Sequence, residues 1–333
     1  MGVVRDMMKP FELFQPTELD GALDLLSRHG SDAWILSGGM DTFDWLKDRA
    51  KQPSVVVDLG GVSELKGIEG TEDGIRIGAM ASLTEVATHP EITSRYPLLA
   101  ESAEKVATPQ IRQQGTLGGN LCQDTRCWYY RSGWPCYRAG GNICYANTPT
   151  ALNREHCVFE ANRCVAVSPS DTAPALIALD ARMTIRSRRS ERTVEAEDFF
   201  LGPATDITRM TVLRPGELLT EIHVPQRWAG QSYYFEKVAD RKAWDFALAN
   251  VAATFQRQNG RIQDARICVG AVAAKPLRLR NVEAALRGQS VDNSLLEQVG
   301  ELAVRNARPL RQNEYKVSLT RNLVKRAIRD ART

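Results

Sequence analysis

Gly115-Thr116-Leu117-Gly118-Gly119-Asn120-Leu121 opens the stretch that decides how this chain is read, and Ser168-Pro169-Ser170-Asp171 closes it. Between those ends stand Cys122, Cys127, Cys136, Cys144, Cys157 and Cys164, six of the seven cysteines in 333 residues. Glycines at such a turn let backbone N–H groups come close to a phosphate. Cysteines on a segment rich in glycine and proline suit a metal. A phosphate turn thus runs directly into a candidate metal segment.

The surrounding chain is that of an ordinary globular protein, 43% hydrophobic and 25% charged, long enough for two or three domains. A net charge of +3 with scattered Lys and Arg calls for no nucleic-acid partner. The basic run Lys316 to Arg332 reads as the solvated face of a helix. No apolar run is long enough for a membrane span. Met1 to Pro10 shows neither a signal-peptide core nor a twin arginine, and Asp6 stands where a myristoylation signal needs Ser or Thr. The expectation is a cytoplasmic protein, and in a reducing compartment crowded cysteines favour metal ligation over disulfides.

Upstream of the central stretch, Thr17 is expected to cap a helix that Gly30 ends, and Ala33-Trp34-Ile35-Leu36 reads as a buried strand. The turn Ser37-Gly38-Gly39-Met40-Asp41-Thr42 and a helix over 43–49 follow, an order that suits an anion or a simple tight turn equally. Strands are expected at 55–59 and 74–79, a capped helix from Ser82 to Pro90, and another over 97–107. Downstream, a buried helix over 172–179 precedes paired strands at 183–186 and 221–224. The last third reads as strands at 233–238, 250–256 and 265–272 with a turn at Asn259-Gly260, then helices over 280–286, 294–305 and 314–331. That pattern indicates a separate α+β domain beginning near Pro225 to Gln231.

Cys127, Cys136, Cys144 and Cys164 are separated by eight, seven and nineteen residues. Four thiolates on a wrapping loop suit an iron–sulfur cluster, which needs no short fixed repeat. Zinc is the rival, although no Cys-x-x-Cys knuckle is present, and unliganded thiols remain a third reading. Cys268, in an apolar strand, reads as a small buried hydrophobe. No Ser/His/Asp arrangement or nucleophile turn is found, so no catalytic side chain is assigned and a cofactor is expected to carry the chemistry. Asp171 is expected to cap its helix and is also free to hold a ribose or ribityl hydroxyl. Lys237, in an apolar strand, must reach solvent or a negative group: a flavin edge, a phosphate, or a salt-bridge partner.

Taken together, Leu36-Ser37-Gly38-Gly39-Met40-Asp41, Ile77-Gly78-Ala79, Thr116 to Leu121, Pro169-Ser170-Asp171 and Glu236-Lys237-Val238 with Phe246-Ala247 make the chain similar over its whole length to the FAD-binding medium subunits of the molybdenum hydroxylases, the xanthine dehydrogenase and carbon monoxide dehydrogenase family. The cysteine-rich insertion resembles the branch with an extra [4Fe-4S] cluster, which includes 4-hydroxybenzoyl-CoA reductase and bacterial aldehyde oxidoreductases. The resemblance implies an α+β fold: a PCMH-type FAD domain over 1–228, with lobes of about 1–60 and 61–228 and an insertion of about 121–165, then a small C-terminal domain over 229–333. It implies FAD held by Leu36, Ser37, Gly38, Gly39, Met40, Asp41 and Thr42 and by Thr116, Gly118, Gly119 and Asn120 through backbone N–H groups, with Asp171 on the polyol and Lys237 approaching the flavin. It implies cluster ligands Cys127, Cys136, Cys144 and Cys164, leaving Cys122 and Cys157 outside, with Cys157 the nearer substitute. Met40 departs from the family's usual threonine and removes a hydroxyl.

The implied role is an oxidoreductase subunit that passes electrons between partners and an external acceptor. Its expected partners are a large molybdopterin subunit and a small [2Fe-2S] subunit in a heterotrimer. Reversed electron flow of the 4-hydroxybenzoyl-CoA reductase kind, a self-contained flavin oxidoreductase, and a cluster-stabilised scaffold without FAD are the alternatives.

Overall fold

The computed structural model describes residues 8–332, so the N-terminal signals weighed on Met1 to Met7 lie outside the described residues. The first lobe is a small α/β unit: β1 (Glu12–Phe14), α1 (Leu19–His29), β2 (Ala33–Leu36), α2 (Thr42–Lys47) and β3 (Val55–Asp58). Its three strands are parallel in the order β1-β3-β2. Leu19, Ala22, Leu23 and Leu26 form one apolar stripe on α1 and pack against Val55 and Val57. The cap expected at Thr17 falls one residue later, at Glu18, which makes no side-chain cap. The carboxylate of Glu64 serves instead, accepting the Leu19 N–H at 2.9 Å.

The second lobe begins with the hairpin β4 (Ile68–Thr71) and β5 (Gly74–Gly78), followed by short helices α3 (Leu83–Thr88), α4 (Pro90–Arg95), α5 (Pro97–Glu104), α6 (Pro109–Gln114) and α7 (Leu117–Leu121). Ser82 and Glu85 close the capping box that the sequence predicts. The insertion is nearly all loop, with α8 (Trp128–Arg131) as its one α-helical turn. Chain then returns through α9 (Ala173–Ala178), whose every residue is buried, to β6 (Arg182–Arg186), β7 (Glu191–Glu195), α10 (Ala196–Phe199) and β8 (Leu218–Pro225). An antiparallel sheet, β4-β5-β8-β6-β7, results, with β8 as the companion of β6.

A third sheet, β12-β11-β10-β9, is built from β9 (Ser232–Val238), β10 (Ala249–Gln258), β11 (Arg261–Gly270) and β12 (Leu277–Arg278), and carries α11 (Arg280–Leu286), α12 (Asn293–Val304) and α13 (Tyr315–Arg329). The hairpin turns at Asn259-Gly260, both at positive φ. Phe235, Ala252 and Cys268 from this sheet pack into the core of the second lobe. Cys268 is thus the buried hydrophobe its strand pattern predicts.

The reading of Lys316 to Arg332 as a solvated face needs correcting. Arg321, Lys325 and Arg329 do reach acidic partners at the surface, but Lys316 and Thr320 are wholly buried. The Lys316 Nζ donates to the carbonyls of Glu155 (2.9 Å) and Ala271 (2.8 Å), tying α13 to the insertion and to the end of β11. Val158 and Phe159 add to that seam by donating backbone N–H groups to Val272 and packing into the C-terminal core.

A cleft between two glycine turns and a hollow of cysteines

Leu36 ends β2, and the chain turns at Ser37-Gly38-Gly39 directly against the end of α6. Gly38 is required there, because a Cβ would lie 2.0 Å from the carbonyl oxygen of Gln114. Gly39, at φ +75°, bends the chain so that the backbone of Gly38 to Asp41 faces the cleft. Among the described residues, the N–H groups of Gly38, Gly39, Met40 and Asp41 donate to no protein acceptor. Such a run is an anion-binding nest.

The second turn behaves differently. Leu117 donates to Ala81, Gly118 to Ala79, Gly119 to the Thr116 hydroxyl and Asn120 to the Thr116 carbonyl. Backbone donation from Gly118, Gly119 and Asn120 is therefore engaged within the chain. What the second turn contributes is shape and hydroxyl groups. A Cβ on Gly118 would lie 2.7 Å from the Ala79 oxygen, and Thr116 Oγ1 meets Ser37 Oγ at 2.5 Å to join the two turns.

The remaining side chains of the first turn are divided between cleft and scaffold. Asp41 accepts from Trp45, from Arg126 (2.7 Å) and from Arg131 (3.0 Å), so its carboxylate fastens the insertion to the first lobe. Thr42 accepts from the Trp34 indole at 3.2 Å. Met40 is 45% exposed on the cleft wall and supplies no polar atom beyond its backbone.

Two further departures concern Asp171 and Lys237. Asp171 is not the helix cap: the hydroxyl of Ser170 accepts the Ala173 N–H at 3.1 Å, with Thr172 at the cap position. The Asp171 carboxylate instead accepts from Lys237 Nζ at 2.6 Å and from Asn250 Nδ2 at 3.0 Å. Burial raises its affinity for a proton, against the pull of Lys237 and then Asn250. Lys237 also donates to the carbonyls of Asp245 (2.7 Å) and Lys105 (3.0 Å), so all three of its protons have acceptors. The lysine stands behind Asp171 and does not line the cleft; Asp171 does. Of the partners open to Lys237 from sequence, the chain itself provides the salt bridge.

Asn120 closes the ends of the insertion on each other. Its Oδ1 accepts from the hydroxyls of Ser170 and Thr172, both at 2.7 Å. The result is a cleft of about 600 Å³ walled by both glycine turns, Met80, Asp171 and the loop Trp244 to Phe246. Its size and mixed lining suit a cofactor or another large organic ligand.

Beyond Arg126 the insertion folds into a hollow. Cys127, Cys136 and Cys144 each occupy the residue before a short helical turn. Nearby backbone N–H groups, those of Tyr129 and Tyr130 at Cys127, of Val165, Ala146 and Asn147 at Cys144, and of Ala166 at Cys164, favour a thiolate, although neither Cys127 nor Cys144 makes a side-chain cap hydrogen bond. Burial outweighs them, pushing the Cys127 thiol up to about 12 and raising Cys144 and Cys164. Cys164 and Cys144 oppose ionisation of Cys127, Cys136 opposes that of Cys144, and Cys144 and Cys136 oppose that of Cys164, which places the four near one another. Cys157 faces Cys164 and Cys144 from deeper in the core, and Cys122 stands apart on the cleft wall.

All seven thiols are free, and no three His, Cys, Asp or Glu side chains among the described residues close on one point as a single metal ion needs. The thiolates of a four-iron cubane bind four different irons and stand farther apart than the ligands of one zinc. The donor set, four soft sulfurs near one another, is compatible with such a cluster. His156, absent from the expected site, sits here with Nε2 3.3 Å from the sulfur of Cys127. Twenty-nine residues separate the two in sequence, and no local pattern announces the contact.

Residues 9–227 match the family model of the FAD binding domain in molybdopterin dehydrogenase, and residues 233–331 match the CO dehydrogenase flavoprotein C-terminal domain. The chain is 32% identical over 307 residues to the aldehyde oxidoreductase FAD-binding subunit PaoB of Escherichia coli, covering 90% of this chain and 92% of that one. It is 29% identical over 320 residues to the nicotine 6-hydroxylase medium subunit of Paenarthrobacter nicotinovorans, covering 95% of each. Among solved structures, a carbon monoxide dehydrogenase from Hydrogenophaga pseudoflava that lacks the Mo-pyranopterin moiety superposes with a TM-score of 0.79 at 28% identity, over 98% of both chains.

Proposed function

The chain belongs to the FAD-binding medium subunits of the molybdenum hydroxylase family, and from that membership we propose that it is the electron-transfer subunit of a heterotrimer, carrying FAD in the cleft and a [4Fe-4S] cluster in the hollow. The observation that carries the FAD reading is the run of free N–H groups from Gly38 to Asp41 facing the same cleft as Asp171. Those N–H groups would hold the diphosphate, with the Ser37 and Thr116 hydroxyls beside them, and Asp171 would accept from the polyol. Lys237 and Asn250 fix the Asp171 carboxylate in place, so the acceptor is oriented before a ligand arrives. When bound, the flavin would supply the two-electron to one-electron exchange that no side chain of this chain offers.

Cys127, Cys136, Cys144 and Cys164 would hold the cluster, with Cys122 and Cys157 outside it. Supporting this reading are the proximity of these thiols to one another and the backbone N–H groups near three of them. The domain division proposed is a FAD domain over 1–228 and a C-terminal domain over 229–333, between which Lys237, Asn313 and Lys316 make hydrogen bonds. The proposed partners are a large molybdopterin subunit, whose pocket would set the substrate, and a small [2Fe-2S] subunit; the proposed location is the cytoplasm.

The test is expression with the neighbouring subunits, followed by heat release of the flavin. Release of FAD from wild type and its loss from Gly38→Ala supports the cleft assignment. A complex that retains FAD in Gly38→Ala, or a wild type without FAD, contradicts it.

A further inference from the structure

We infer that His156 sets the reduction potential of the proposed cluster by donating a hydrogen bond from Nε2 to the sulfur of Cys127, an inference that rests on the cluster reading above. His156 is 3% exposed, and Nε2 lies 3.3 Å from that sulfur. Its other ring nitrogen, Nδ1, is buried and has no partner among the described residues. A sulfur bound to the cluster has no proton to give and can only accept, and Nε2 is the ring atom that faces it, so the single N–H of a neutral imidazole would sit toward sulfur; an imidazolium would donate from the same atom.

The ring is held in that place from its backbone. Asn313 Nδ2 donates to the carbonyls of His156 and Cys157, both at 3.0 Å, and the His156 N–H reaches the Asn153 carbonyl at 3.2 Å. Among the described residues, His156 is the one group that hydrogen-bonds to the sulfur of Cys127, Cys144 or Cys164. A donor to a cluster thiolate stabilises the more negative, reduced state and raises the potential. His156 acts through Cys127 and is a positioning and tuning residue.

The experiment is a redox titration of the cluster, followed by electron paramagnetic resonance, in the purified complex. His156→Leu is expected to shift the one-electron equilibrium about tenfold toward the oxidised state, a fall of about 59 mV, at unchanged iron content. His156→Gln, which restores an N–H, recovers part of the shift. A potential in His156→Leu equal to that of wild type overturns the inference. Should His156→Leu fail to retain iron, wild-type protein labelled with ¹⁵N-histidine decides: nuclear coupling of the reduced cluster to that nitrogen supports the bond, and its absence overturns it. A wild-type complex with flavin and no [4Fe-4S] signal beside those of the small subunit's [2Fe-2S] clusters overturns the cluster reading itself, an outcome distinct from an unchanged potential.

Discussion

The cleft and the hollow each receive a buried lysine from the C-terminal third of the chain, and the two lysines meet different chemistry. Lys237 finds a carboxylate and two carbonyls, one acceptor for each proton. Lys316 finds two carbonyls and no carboxylate in contact, and burial pushes its ammonium down to about 7. Two acceptors match the two N–H bonds of a neutral amine. The cleft thus holds a charge pair, whereas the hollow favours neutral groups. The Cys157 thiol beside Lys316 is likewise held protonated by burial. The cleft is prepared for a ligand by its own ion pair.

Removing each lysine is the sharpest way to break this contrast. Lys237→Met leaves the Asp171 carboxylate buried without its cation and is expected to cost about 3–5 kcal/mol, read as a lower denaturation midpoint together with loss of flavin. Lys316→Met removes a group that is costly to bury when charged, so the loss at pH 7 should be well below that of Lys237→Met. Equal losses at the two sites would remove the distinction.

Two glycine substitutions separate the regions by cofactor. A Cβ at Gly38 would stand 2.0 Å from the Gln114 oxygen, and one at Gly141, beside Cys136, would stand 1.8 Å from the Pro135 oxygen. Each should cost about 1–3 kcal/mol as an overpacking strain. Gly38→Ala is expected to lower flavin content first and Gly141→Ala iron content first, by elemental and flavin analysis of the same preparations.

A pH slope probes Lys316 alone. Folded Lys316 gives up its proton near pH 7, while the unfolded chain holds that proton to 10.5. Across that window the unfolded state binds more protons, so stability rises with pH by about 1.4 kcal/mol per unit. The cost of burying the charge is fully present below pH 7 and is relieved toward 10.5. Denaturant titrations at several pH values should show this slope in wild type and not in Lys316→Met.

Local patterns made much of this architecture legible. Ala33 to Leu36, the Ser82–Glu85 capping box and the Asn259-Gly260 hairpin follow from neighbours in sequence, and they form as predicted. Short pieces with no apolar period of their own, β1, β4 and β7 among them, form because a partner strand awaits them, and nothing local signals that. The same limit applied at the site. Glycine turns and cysteines could be named from sequence, but which N–H groups stay free is decided by packing: Gly118 and Asn120 look like donors to a ligand until Ala79 and Thr116 take their protons. Asp171 preceded a helix and so resembled a cap, yet Ser170 is better placed and frees the carboxylate for Lys237, sixty-six residues away. Lys316 looked solvated because its neighbours in sequence are.

The most direct test of the account is one absorption spectrum of the purified complex, with flavin and iron measured per copy of this chain and corrected for the small subunit. The account predicts one FAD for every four irons assignable to this chain, with the iron lost in Cys127→Ser and kept in Cys157→Ser. A chain without flavin, or one holding zinc in place of iron, would contradict it.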